Sequence, residues 1–200
     1  MAYDIVVIGT SWGGFAALCE LVAGLADGFG LPIVVVQHRQ KGSDDSLATL
    51  LQDHTPLRVC EVEDKSPIVG GTLFVAPPDY HLLIDDRVFS LSIEAPVRFS
   101  RPSIDLTFAS AADSFAERAV GVVLTGANAD GARGLRRIAD RGGLALVQLP
   151  ATAECPVMPR EALRCVPEAR ALTIREIAAT LGGLSATAMQ AGTTSRSSAT

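Results

Sequence analysis

The chain has no basic excess, no membrane-length apolar run, no closely spaced cysteine pair and no internal linker, and each absence removes a class of protein. Its 17 basic residues stand against 22 acidic ones, a net charge of -5. No general cationic field is present to attract nucleic acid. Cys19, Cys60, Cys155 and Cys165 form no CxxC pair, and His38, His54 and His81 are widely separated. No zinc-type spacing exists, so neither a metal nor an organic cofactor is expected. Three of the cysteines lie in apolar stretches and read as reduced core thiols. The N-terminus lacks a basic leader pattern and no apolar stretch is long enough to span a bilayer; a cytoplasmic location without membrane insertion is the expectation. With 200 residues, 48% of them hydrophobic, and no repeat, the chain can bury one sizeable core.

What the chain does have is a rhythm of apolar β-rich runs and helical patterns. A strand at 5–8, a helix near 14–26, a strand near 32–37, a helix near 44–53 and a strand near 57–62 predict a parallel sheet. The near-continuous Ile/Val character of the first two strands requires cover on both faces. An α/β fold with a doubly wound, mostly parallel β-sheet flanked by helices follows. The middle differs: after a run at 72–76, His81-Ile84 and Val88-Ser92 flank Asp85-Asp86-Arg87 as an antiparallel hairpin would. A helix near 103–117, a strand at 119–124, a helix near 132–141 and a strand at 144–148 resume the parallel rhythm. Thr173-Ile174-Arg175-Glu176 is a capping box, and the helix it opens is expected to stop at Gly182-Gly183. Beyond that point Ala, Thr, Ser and Gly predominate, which divides the chain into a domain at 1–183 and a flexible tail at 184–200.

The densest local signal is Gly9-Thr10-Ser11-Trp12-Gly13-Gly14, directly after the strand Ile5-Val6-Val7-Ile8. Glycines flanking a serine permit a sharp strand-to-helix turn that exposes the hydroxyl, and the following helix aims its free N–H groups at the same point. A dinucleotide fingerprint would need glycine in place of Ser11 and an acidic residue closing the second strand, which instead ends in Gln37-His38. A P-loop would need Gly-Lys-Ser/Thr where Gly14-Phe15-Ala16 stands.

In open α/β sheets the reactive crevice lies outside the carboxyl ends of the strands. Ser11 follows strand one, His38 follows strand two, and Asp130 lies in Thr125-Gly126-Ala127-Asn128-Ala129-Asp130-Gly131 after the strand at 119–124. A hydroxyl needs an imidazole to take its proton, and the imidazole needs a carboxylate to fix its tautomer. His38 has the alternative of satisfying backbone groups at a strand end, and Asp130 that of capping a helix; neither role excludes catalysis. His54 reads as solvent-exposed, and His81 as structural at the base of the hairpin.

These segments, together with Phe74-Val75-Ala76-Pro77-Pro78-Asp79-Tyr80-His81, Arg101-Pro102-Ser103-Ile104-Asp105 and Met158-Pro159-Arg160, resemble the catalytic domain of CheB, the protein-glutamate methylesterase of bacterial chemotaxis. The resemblance runs in order from about residue 3 to about residue 182. It implies an esterase that demethylates glutamates on the cytoplasmic helices of methyl-accepting chemoreceptors, often with glutamine deamidase activity. Ser11, His38 and Asp130 fall on the family's triad, and the backbone N–H groups of Trp12 and Ala127 on its oxyanion donors. Trp12 replaces a small residue and Ala127 a methionine. Family members usually carry an N-terminal receiver domain, whereas strand one here begins at residue 5. A stand-alone domain, constitutively active or governed by a separate regulatory protein, is the expectation. Arg133, Arg136, Arg137 and Arg141, or Arg101, are candidates for meeting an acidic receptor surface. The competing reading is a receptor-binding adaptor of the same fold that has lost turnover.

Overall fold

The computed structural model describes residues 2–39 and 47–194. Seven strands form one wholly parallel sheet: β1 (Ile5–Thr10), β2 (Ile33–Gln37), β3 (Arg58–Glu61), β4 (Thr72–Val75), β7 (Ala119–Val123), β8 (Leu144–Gln148) and β9 (Arg170–Leu172). Their spatial order is β3-β4-β2-β1-β7-β8-β9. The chain lays β2, β3 and β4 on one side of β1, with β4 between β2 and β3, and then continues at β7 on the other. The switch point therefore lies between β1 and β7, and the crevice opens at their carboxyl ends.

All six residues of β1 are buried, and strand alternation sends its side chains into two separate layers. Ile5 and Val7, with Val34 and Val36, enter one layer. There they meet Ile104 and Phe108 of α3 (Ile104–Phe115), Leu135 and Ile138 of α4 (Ala132–Asp140), and Met158 of α5 (Val157–Cys165). Val6, Ile8, Ile33 and Val35 enter the other. Their partners are Leu18 and Leu21 of α1 (Gly14–Ala23), Leu51 of α2 (Leu47–Gln52), and Ile177 and Leu181 of α6 (Ile174–Thr194). Part of the helix expected near 44–53 lies outside the described residues.

The hairpin β5 (His81–Asp85) with β6 (Val88–Ser92) is a separate antiparallel pair. Its open edge is closed by hydroxyls of α3: Ser110 Oγ accepts from Ile84 N–H at 3.0 Å, and Thr107 Oγ1 donates to Leu82 C=O at 2.7 Å. A strand edge that would otherwise template association is satisfied by a helix.

Three features depart from the sequence reading. Periodicity predicts neither α5 nor β9; β9 has three residues, none fully buried, and so carries little alternation to read. The capping box forms, with Thr173 N–H and Oγ1 both 2.8 Å from Glu176 Oε2. Yet α6 passes through Gly182-Gly183 and continues to Thr194, because the buried Ser185 hydroxyl accepts from Gly30 N–H at 2.7 Å beyond the glycines. The four cysteines are free, but each is only partly buried rather than a core thiol.

Close approach of α3 to β1 is what aligns the site. A Cβ built at Gly9 would collide with Ile104 Cγ2, so the helix N-terminus rests directly on the strand that precedes Ser11. Gly9→Ala should push α3 off β1 and cost about 1–3 kcal/mol, as overpacking in a tight core does. Urea unfolding measures it.

Candidate active site

The turn after β1 is held from below by Thr125. Its carbonyl accepts from Ser11 N–H at 3.0 Å and from Thr10 Oγ1 at 2.8 Å, and its own hydroxyl donates to Trp12 C=O at 2.9 Å. Thr125 N–H is in turn taken by the buried Gln148 Oε1 at 2.8 Å. Gly13 sits at φ 74°, a left-handed conformation that suits glycine. A Cβ at Gly126 would come within 3.0 Å of Ser11 Cβ, so only a bare backbone lets the β7 loop pass beside the serine. No hydrogen bond among the described residues takes up the backbone N–H of Trp12 or of Ala127.

His38 lies beside this turn because β2 pairs with β1 in register, Thr10 opposite Gln37, and His38 N–H continues the ladder to Thr10 C=O at 3.1 Å. Its ring Nε2 is 2.8 Å from Asp130 Oδ2. The β7 loop thus brings Asp130 to His38 across the switch point, while the turn keeps Ser11 adjacent. Among the described residues no hydrogen bond joins the Ser11 hydroxyl to the ring.

Asp130 is 1% exposed and is held by the N-terminus of α3. Oδ2 also accepts from Ile104 N–H at 2.8 Å; Oδ1 accepts from Asp105 N–H at 3.0 Å, Ser103 Oγ at 3.1 Å and Gly131 N–H at 3.1 Å. Burial pushes this carboxyl up, but the His38 hydrogen bond, the Asp105 and Ile104 N–H groups and the His38 charge outweigh it. The net result is below the ordinary carboxylate range. The capping alternative is also realised, on α3 across the crevice rather than solely on the helix that follows. Since Asp130 is ionised and accepts only, Nε2 carries the ring proton and Nδ1 is left as the basic nitrogen.

Asp105 completes a reciprocal arrangement. Its Oδ1 accepts from Gly131 N–H at 2.9 Å and Gly134 N–H at 2.8 Å, capping α4. Burial pushes Asp105 upward, aided by the Asp130 charge and opposed by those backbone donors and by Arg98. His81 is fully buried and structural, as the sequence suggests: Nδ1 accepts from Ser103 N–H at 3.2 Å and Nε2 lies 3.2 Å from Ala95 C=O. It fixes the residue that then donates to Asp130. His54 is exposed against the edge of Phe15.

A cavity of about 280 Å³ opens beside His38, lined by Arg39, Asp79, Pro96, Phe99 and Arg101. A further cavity of about 290 Å³ lies along the β3–β4 edge and contains none of the three candidate groups. Trp12 is 66% exposed, its ring tethered by Nε1–H to Glu154 Oε1 at 3.0 Å. The arginine face offered for docking is largely neutralised: Arg137 and Arg141 pair with Asp113 at 2.7 and 3.0 Å, and Arg136 pairs with Asp140 and Glu168. Arg101 borders the cavity, its Nη1 donating to Ile93 and Glu94 C=O. Among the described residues, no three His, Cys, Asp or Glu side chains gather as metal ligands would, and no helix is long and apolar enough to cross a membrane.

A parallel sheet that gathers an elbow serine, an imidazole and a buried carboxylate at its switch point has the layout of an α/β hydrolytic enzyme. The chain matches the CheB methylesterase family over residues 6–181. It is 45% identical over 179 residues to a Leptospira interrogans protein named for protein-glutamate methylesterase and protein-glutamine glutaminase, covering 89% of this chain and 93% of that one. It is 38% identical over 162 residues to the protein-glutamate methylesterase FrzG of Myxococcus xanthus, covering 80% of this chain but 48% of that one. The Thermotoga maritima CheB methylesterase catalytic domain superposes with a TM-score of 0.87 at 31% identity, over 92% of this chain and 100% of that one. The chain belongs to the CheB methylesterase family and is a carboxylic ester hydrolase.

The two aspartates should respond unequally to amidation. Asp130→Asn removes an acceptor from His38 and a charge from the α3 N-terminus, and should cost about 3 kcal/mol at neutral pH. Because the Asp130 carboxyl is depressed in the folded state, its contribution is present in full above the ordinary carboxylate range and is lost as pH falls below that range through its own lower value. The gap between wild type and variant should narrow on acidification. Asp105→Asn keeps the oxygen facing Gly131 and Gly134 and should cost less than about 1 kcal/mol. Denaturant unfolding between pH 3 and 7, on the order of those carboxylate ranges, checks both.

Proposed function

We propose that the chain is a protein-glutamate methylesterase acting on the cytoplasmic helices of methyl-accepting chemoreceptors, with Ser11 as nucleophile, His38 as general acid and base, and Asp130 as the group that orients the imidazole. The observation that carries this reading is the 2.8 Å bond between His38 Nε2 and the buried Asp130 carboxylate, placed beside the Ser11 turn.

In the proposed sequence, Ser11 Oγ bonds to the ester carbonyl carbon while its proton passes to His38 Nδ1. The carbonyl electron pair moves onto oxygen, which the Trp12 and Ala127 N–H groups are suited to receive. Collapse of this intermediate breaks the bond to methoxide, and Nδ1–H delivers the proton so that methanol departs. Water then repeats the attack on the acyl-enzyme and releases the glutamate carboxylate. A glutamine side chain would enter the same path with ammonia as the leaving group.

Ser11→Ala should lower methanol release from methylated receptor by at least about 10⁴-fold, and adding His38→Ala should cost little more, since triad members act as a unit. Equal rates in wild type and Ser11→Ala would reject the nucleophile. Receptor binding without methanol release from the wild type would favour the adaptor.

A further inference from the structure

Asn128 touches both Asp130 and the His38 ring. It is half-buried in the β7 loop, two residues before Asp130. Its Oδ1 accepts from Asp130 N–H at 3.0 Å, and its Nδ2 lies 3.3 Å from His38 Nδ1. The orientation of the amide follows from its neighbours: turned over, Nδ2 would face the Asp130 N–H and Oδ1 would face a nitrogen lone pair, leaving two mismatched contacts. The side chain is therefore fixed at its oxygen and aims an N–H at the ring nitrogen that the ionised Asp130 leaves unprotonated.

From this geometry we infer that Asn128 is a positioning residue for His38: its amide N–H occupies the Nδ1 lone pair, holds the proton on Nε2 against Asp130, and excludes a second proton from the resting ring. The inference rests on His38 serving as the base of the proposed reaction. Two neighbours act on the imidazole in opposite senses. Asp130 stabilises the cation through Nε2, whereas the Asn128 N–H meets a protonated Nδ1 donor to donor and destabilises it. The contacts also differ in tightness, 2.8 Å at Nε2 against 3.3 Å at Nδ1. The looser partner is the one that must yield when the Ser11 hydroxyl takes its place on Nδ1.

Other charges near the ring form a common background. Arg39 is its chain neighbour, paired with Glu61 at 3.5 Å, and Asp79 and Arg101 line the adjoining cavity 3.8 Å apart. Asp105 acts on Asp130 from α3. None of these changes when residue 128 is replaced.

The test is a proton NMR titration of the His38 ring in the full chain, in wild type, Asn128→Ala and Asn128→Asp. Asn128→Asp keeps an oxygen for the Asp130 N–H and exchanges the donor for a charged acceptor, so an unmoved titration there tests the inference even if Asn128→Ala folds poorly, whereas the rise in the uncharged Asn128→Ala isolates the donor. The ring's proton affinity should rise about tenfold in Asn128→Ala and further in Asn128→Asp. The acid limb of kcat/KM for methanol release from methylated receptor should move to higher pH in step. Unchanged proton affinity in Asn128→Asp would overturn the inference, as would loss of activity at all pH values with no change in titration, the pattern of a purely structural loop residue. Because the titration needs no turnover, a tenfold change in a chain that releases no methanol would remove the esterase reading and leave the role of Asn128 standing. Full activity with an unmoved titration would do the reverse.

Discussion

The N-terminus of α3 closes on the carboxylate of Asp130, and the rest of the site depends on that contact. Removing an isolated carboxylate from water costs far more than a single hydrogen bond returns. Here Ser103, Ile104, Asp105 and Gly131 present donors before His38 is counted. With backbone N–H groups and a helix N-terminus around it, the carboxylate remains ionised while almost wholly buried. An ionised acceptor then dictates which imidazole nitrogen bears the proton. Were Asp130 protonated, it could donate to Nε2, and the basic nitrogen would face the wrong way.

That contact exists because of topology. Strand β1 ends in Ser11, β7 leads to Asp130, and the chain reverses its direction of sheet-building between them, so that the two loops share a crevice. Helix α3 reaches the same place because Gly9 and Gly134 allow close approach: a Cβ at Gly134 would sit 2.5 Å from that of Phe108. Asp130 caps α3 while Asp105 of α3 caps α4. Each helix end thereby holds the carboxylate that serves the other, and displacement of one would release both.

Much of this is legible in the sequence alone. The strands β1, β2, β7 and β8 are long apolar runs, the serine turn is marked by its glycines, and strand-end placement brings Ser11, His38 and Asp130 into one reading. The supporting groups are less visible, because their roles depend on distant backbone. Thr125 matters through Trp12 and Cys155, Gln148 through Thr125, and Ser103 through His81 and Asp130. Asn128 is an ordinary loop residue in the sequence, and only the position of the His38 ring gives its amide significance. The glycine pair at 182–183 misleads for a related reason. Glycine weakens a helix locally, but the Ser185 anchor and the packing of Leu184 lie beyond it. The cysteines occupy apolar stretches yet reach the boundary of the core rather than its centre.

In chymotrypsin-type triads the carboxylate engages Nδ1 of the histidine and Nε2 faces the serine. Here Asp130 engages Nε2, so in the proposed reaction the nitrogen that faces the serine is Nδ1. Nitrogen-15 NMR of the His38 ring in the resting protein at neutral pH tests this directly. An ionised Asp130 requires a protonated Nε2, shifted by a strong hydrogen bond, and an unprotonated Nδ1. A ring carrying its proton on Nδ1, with a bare Nε2 turned toward Asp130, would contradict it.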